Sequence, residues 1–439
     1  MKLRKVLGLV VCISLVLSTF AACSDNKADE TTGTEKQAGG ESTPSTEKNP
    51  GSGARAEITY WQHSSQAKDN VMKSFAFDFM QANPEINVKM EFIPFADYST
   101  KLISSLATNA APDIMTVESG MISRLVKADA IQAIDESIIP MASIQSDFIA
   151  ASTEALQVNG KLYGMPTDVQ TIVLYWNKDL VKAEGLDAEK GPQTWDELLE
   201  WAKKLTKYEG GKMVQSGWGE SGYNPEVQAL IAQYGGKVAD DAGKFIFAED
   251  PKSVEAIKFL VDTYKVHKVY DKQFMANWAA FRVGKLAMNL GHPAMMGNLK
   301  LTAPDVKLGA GLIPTLNGQH TTILSSWSFS ISKNADSQNA AKFLQYITSE
   351  DAQRRLTAQI GEIPSRKALL SDEALTKDPM TKLMFSSLND SIVSRWQTLT
   401  LNAIWSEGYD KLILTDEPFD AVMKKLQDDM NAEMAKDLK

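Results

Sequence analysis

Cysteine is almost absent: the chain of 439 residues holds two, Cys12 and Cys23. Both precede the part of the chain able to fold, so no zinc ribbon or redox cysteine pair is available and the body must be held by its core. Histidine is scarce as well. His63, His267, His292 and His320 stand far apart, without an HExxH pair or a second ligand at metal spacing, and no metal or other cofactor is expected. The sequence has no G-x-S-x-G elbow and no P-loop, and Gly309-x-Gly311 lacks the third glycine and the helix that a dinucleotide site requires. Positive charge is in deficit. The formal charge is -9, and -12 once the three basic residues of positions 1 to 22, which contain no acid, are removed, so nucleic acid is not an expected partner. Beyond the first residues no apolar stretch is long enough to cross a bilayer.

What is present begins at the N-terminus. Lys2, Arg4 and Lys5 precede an apolar run from Val6 to Leu17, too short to span a ~30 Å hydrocarbon core, which reads as a signal peptide over residues 1–22. Ala21 and Ala22 ahead of Cys23 resemble the bacterial lipobox, with Phe20 where that pattern usually has Leu. Lipidation at Cys23 is therefore expected. From Ser24 to Arg55 the only apolar side chains are Ala28, Ala38 and Ala54, too few to offset ordering entropy, and residues 23–55 are expected to form a disordered tether. An end-to-end distance on the order of 30 Å would separate membrane from body.

The remaining residues, roughly 380 in number, suffice for two lobes. Glu57 to Trp61 has the composition of a buried strand, and Val71, Phe75 and Phe79 recur at helical spacing. A second strand is expected over Asn87 to Phe92, a helix face at Leu102 and Leu106, and a third strand opening at Pro112 to Val117. This βαβαβ order predicts a parallel sheet covered by helices. Thr194 with Glu197 forms a capping box, and Asp250-Pro251 starts another helix. Lys285 to Leu290 and Trp327 to Ser332 read as later strands, and a final helix is expected from about Pro418 to Ala435.

Several segments carry a resemblance. Leu162-Tyr163-Gly164-Met165-Pro166-Thr167-Asp168 is followed by Leu174-Tyr175-Trp176-Asn177-Lys178-Asp179-Leu180 and by Gln193-Thr194-Trp195-Asp196-Glu197-Leu198. With Ala111-Pro112-Asp113-Ile114, Phe281 to Met288 and Ile363-Pro364-Ser365-Arg366-Lys367, the chain resembles the extracellular sugar-binding proteins of ABC importers over nearly all of residues 56–439. The resemblance implies an α/β, two-lobed periplasmic-binding-protein-like fold of type II. Each lobe would be a mixed, mainly parallel sheet flanked by helices, with three hinge crossings placed near Thr167, Asn289 and Phe343. Lobe 1 would comprise residues 56–167 and 290–343, and lobe 2 residues 168–289 and 344–439. Expected partners are a carbohydrate, the transmembrane subunits of an ABC permease and the outer face of the cell membrane, with the protein a monomer.

A sugar presents hydroxyls and weakly apolar C–H faces, so its site needs polar acceptors beside aromatic plates. In open α/β sheets, ligands sit beyond the carboxyl ends of strands, which directs attention to Gln62 and His63 and to Glu118 and Ser119. Asp168 follows the turn at the first crossing, and Tyr223 and Asn224 are expected from the second lobe. Where the family often has Gly-Pro-Trp this chain has Gly291-His292-Pro293-Ala294. His292 would then act as a polar contact, with the plates supplied by Trp278, Trp327 or Trp396. Trp327 also alternates with Phe329 and Ile331, as a core strand would. Two carboxylates of a glycoside hydrolase have no sequence spacing to betray them, and a receptor for a sensor kinase or a glycan adhesin would use the same fold, so these readings stay open.

Overall fold

The computed structural model describes residues 55–437, apart from 220, 221, 223, 275, 317 and 397. The expected signal peptide, Cys23 and its tether, and Tyr223 lie outside the described residues.

The first strand, Ala56–His63, alternates its side chains so that Ile58 and Tyr60 enter a core. It pairs in parallel with Ile86–Ile93 along its whole length and with Ile114–Glu118 on its other side. Helices Gln66–Ala82 and Phe95–Ala107 make the crossovers, the first burying Val71, Phe75 and Phe79 on one face. This is the expected βαβαβ unit. The sheet is completed from far along the chain by Trp327–Ser332, which runs antiparallel to Ile114–Glu118 and sets Trp327 opposite Glu118. Helices Ser337–Ile347 and Glu350–Ile360 contribute Phe343, Leu344, Leu356 and Ile360 to the same core.

A second core surrounds a five-stranded sheet in the order Leu308–Leu312, Val173–Asn177, Leu286–Gly291, Lys212–Trp218, Lys207–Glu209. Val173–Asn177 is buried throughout, which its continuous apolar run requires, and is antiparallel to both neighbours. Thr194 caps helix Trp195–Leu205 by accepting from the Glu197 N–H, while the Glu197 carboxylate reaches the N–H of Gln193, one residue earlier than an ideal capping box. Asp250 caps Pro251–Lys265 by accepting from the Ser253 N–H. Helices Leu399–Leu414 and Phe419–Asp437 close the lobe.

Residues of the first core end at Met165 and resume at Phe329, and those of the second begin at Val169, run to Leu324 and resume at Ile363. The second and third crossings therefore fall near 325 and 362, not near Asn289 and Phe343. Asn289 lies within a lobe 2 strand opposite Tyr175, and Phe343 is fully buried in lobe 1. The cause is Leu308–Leu312, an unanticipated strand that keeps the chain in lobe 2 for a further pass. Val169 bridges Ile363 and Gln170 bridges Ser325, so the three crossing segments lie side by side. Gly361 ends helix Glu350–Ile360 at φ 80°, a left-handed cap that turns the chain into the third crossing.

Candidate ligand-binding cleft

The carboxyl edge of the lobe 1 sheet gathers His63, Glu118 and Trp327, because the first and third strands end there and the antiparallel strand begins there. The half-buried His63 ring lies 4.6 Å from the Trp327 ring, 5.4 Å from Phe95 and 6.0 Å from Tyr98. Its Nδ1 is buried with no protein partner among the described residues. Burial, reinforced by the charge of Lys68 and opposed by that of Asp168, lowers its pKa to about 4, so the ring is neutral at pH 7. Glu118 Oε2 is likewise buried without a protein partner, and burial raises that carboxyl to about 8. A protonated carboxyl both donates and accepts, which matches the two capacities of an alcohol hydroxyl.

Between the lobes lies a charged seam. Lys68 Nζ meets Glu362 Oε1 at 2.8 Å with both side chains buried. Burial opposes the lysine charge, but Glu362 and Asp168 outweigh it and raise its pKa. Glu362 is pushed up to about 7 by burial and by Asp168, against the pull of Lys68. Asp168 accepts from the Thr167 hydroxyl and from Gln170 Nε2, the latter at 3.0 Å. Its charge reaches His63 and Lys68 from lobe 1 and His292 from lobe 2.

The facing edge of the lobe 2 sheet encloses a cavity of about 400 Å³ lined by Trp218, Glu226, Trp278, Asn289, His292 and Tyr409, among others. Trp278 opens a short helix capped by Asn277 and stands edge-on to Tyr175 at 5.8 Å. Its ring lies against Gly291, where an added Cβ would fall 2.5 Å from Trp278 Cζ2. That glycine is what admits the indole. His292 Nδ1 donates to the Thr171 carbonyl at 2.9 Å, and burial lowers its pKa. The lobe 1 edge thus sets a half-buried tryptophan beside neutral polar groups, while the lobe 2 cavity adds Trp278 and His292 to a lining that also holds the Lys272–Asp410 ion pair, and its volume falls within the range of small-molecule sites.

A family model described as bacterial extracellular solute-binding protein matches residues 75–382. The chain belongs to that family. Its relatives include a probable amino-acid ABC transporter periplasmic-binding protein of Sinorhizobium fredii, 29% identical over 50% of this chain and 51% of that one. The maltotriose-binding protein of Pyrococcus abyssi is 22% identical over 85% of this chain and 82% of that one. Among solved structures, an ABC transporter solute-binding protein of Thermotoga lettingae bound with α-D-tagatose superposes with a TM-score of 0.77. It is 19% identical, with 86% of this chain and 99% of that one covered, a likeness of fold.

In this solute-binding protein the residues expected at the ligand separate into two groups. His63, Glu118 and Trp327 share one wall, and Trp278 and His292 share the other. Gln62 is buried, donating from Nε2 to Asp69 at 2.9 Å and accepting from the Tyr60 hydroxyl at 2.6 Å, so its amide is consumed inside lobe 1. Ser119 is buried too, with its Oγ 2.7 Å from the Ser326 carbonyl at the second crossing. Asp168 is only 1% exposed and serves the hinge turn. Asn224 is absorbed by the Trp396 carbonyl, Asn402 and Gln228. Trp396 is 1% exposed, stacked on Trp405 at 5.3 Å and walled by Phe245 and Phe247; it is core and offers no face to a ligand. Sequence reasoning passed over Phe95, Trp218 and Asn289, all at or near strand ends on the cleft side, where the rule that found His63 applies equally. Glu226 and Tyr409 come from helices and carry no such signal.

Proposed function

We propose that this protein captures a sugar or oligosaccharide between its two lobes outside the cell and delivers it to an ABC permease. The observation that carries this reading is the occurrence of half-buried tryptophans, Trp327 and Trp278, together with the buried polar atoms Glu118 Oε2 and His63 Nδ1, which have no protein partner among the described residues. Such a wall suits a neutral ligand with C–H faces and hydroxyls. An amino acid suits it less. Lys68 is held by Glu362 and Lys272 by Asp410, so neither ammonium is at the disposal of an α-carboxylate. On this reading the protein is a monomer, catalyses nothing, and is anchored by lipid on Cys23. Two acyl chains hold firmly where one gives only about 10⁴ M⁻¹.

The three crossing segments, side by side and bridged antiparallel, support closure by a hinge motion, the loaded form being the one presented to the permease. A thermal-shift screen of mono- and oligosaccharides beside amino acids tests the reading. At least one carbohydrate is expected to raise the melting temperature, since a ligand that binds the native state alone stabilises it. A response confined to amino acids or another solute class overturns the assignment.

A further inference from the structure

Phe95 is 57% exposed, although helix Phe95–Ala107 turns Tyr98 and Leu102 fully inward. Its position explains why burial is not available to it. Pro94 ends the passage from strand Ile86–Ile93, and Phe95, the first helical residue, is left on the carboxyl edge of the sheet. There it stands nearly perpendicular to His63, at 86° and 5.4 Å, on the ring that also touches Trp327 at 4.6 Å and 49°. Phe95, His63 and Trp327 form a continuous row of rings along the lobe 1 edge, with Glu118 beside its Trp327 end. A single saccharide ring placed over Trp327 with a hydroxyl at Glu118 leaves Phe95 untouched. Only a ligand that continues past His63 reaches it.

We infer that Phe95 is a second stacking position and that the cleft is built for a saccharide of two or more rings, its outer ring lying on Phe95. The inference rests on the cleft being a carbohydrate site and adds chain length to it. Isothermal titration of the full chain with mannose and mannotriose, glucose and maltotriose, and arabinose and arabinotriose provides the test. For a sugar that binds, the trisaccharide is expected to bind more tightly than its monosaccharide. Phe95→Ala should weaken the trisaccharide about tenfold while leaving the monosaccharide unchanged. Phe95→Trp should retain the trisaccharide affinity, which separates loss of a plate from loss of local structure. Equal affinity for both lengths in the unmodified protein overturns the inference, as does a Phe95→Ala variant that weakens both lengths equally or neither. If no saccharide binds the unmodified protein at all, the carbohydrate reading falls first and this one with it.

Discussion

Replacing Glu118 with Gln tests the electrostatics of the lobe 1 wall. Burial raises this carboxyl from 4.5 to about 8, so the folded protein keeps a proton that the unfolded chain has already released. Between those values the native state binds more protons than the unfolded one, and stability falls as pH rises until the folded group ionises. Each unit of such a difference is worth about 1.4 kcal/mol. Below pH 7 other groups obscure the slope. Glu362, raised to about 7, acts in the same direction, whereas His63, lowered to about 4, gains stability with pH up to its unfolded value. Above pH 7 Glu118 dominates, and integrating from pH 7 to 9 gives a loss of about 1.4 kcal/mol. Gln cannot ionise and keeps the shape of the neutral acid, so Glu118→Gln should lack this loss while every shared group cancels in the difference. The assay is urea unfolding of both proteins at intervals between pH 7 and 9. For a body of roughly 380 residues the same effect is about 2 °C in melting temperature. Parallel stability profiles for the two proteins would refute the reasoning and make Glu118 an ordinary solvated carboxylate.

Trp278→Ala and Trp327→Ala should each weaken saccharide binding about tenfold or more with an unchanged far-UV spectrum, measured by titration; unaltered affinity in both would return these rings to packing alone. Trp396→Ala should instead destabilise lobe 2 by about 3–5 kcal/mol in denaturant unfolding, because it opens a cavity among Phe245, Phe247 and Trp405. Cys23→Ala should release the protein into the medium, quantified in cell-free supernatant, and retention at the cell surface would refute the lipid anchor.

The local architecture was legible where a single residue type has a single structural consequence. The β-forming composition of Glu57 to Trp61, the four-residue spacing of Val71, Phe75 and Phe79, and the caps at Thr194 and Asp250 each specify a geometry that tertiary contacts did not override. The second and third crossings were not legible in this way. Whether Leu308–Leu312 stays in lobe 2 depends on its pairing with Val173–Asn177, more than 130 residues earlier in the sequence, and its own residues do not state a partner. The site divides similarly. His63 and Glu118 follow from their places at strand ends. Trp396 and Trp278 are alike as isolated letters, yet one is enclosed by aromatic side chains from other segments and the other stands over a glycine at a cavity wall. Gln62 and Ser119 sit at the expected ends, but their polar atoms are already engaged by Asp69 and Ser326.

A crystal structure of the protein loaded with the saccharide that raises its melting temperature most would test the central claim directly. The account predicts sugar rings between the lobes, with one on Trp327 within hydrogen-bond reach of Glu118 and His63, and contact to Trp278 and His292 from the other wall. A saccharide bound away from both tryptophans, or seated on one lobe without touching the other, would contradict it.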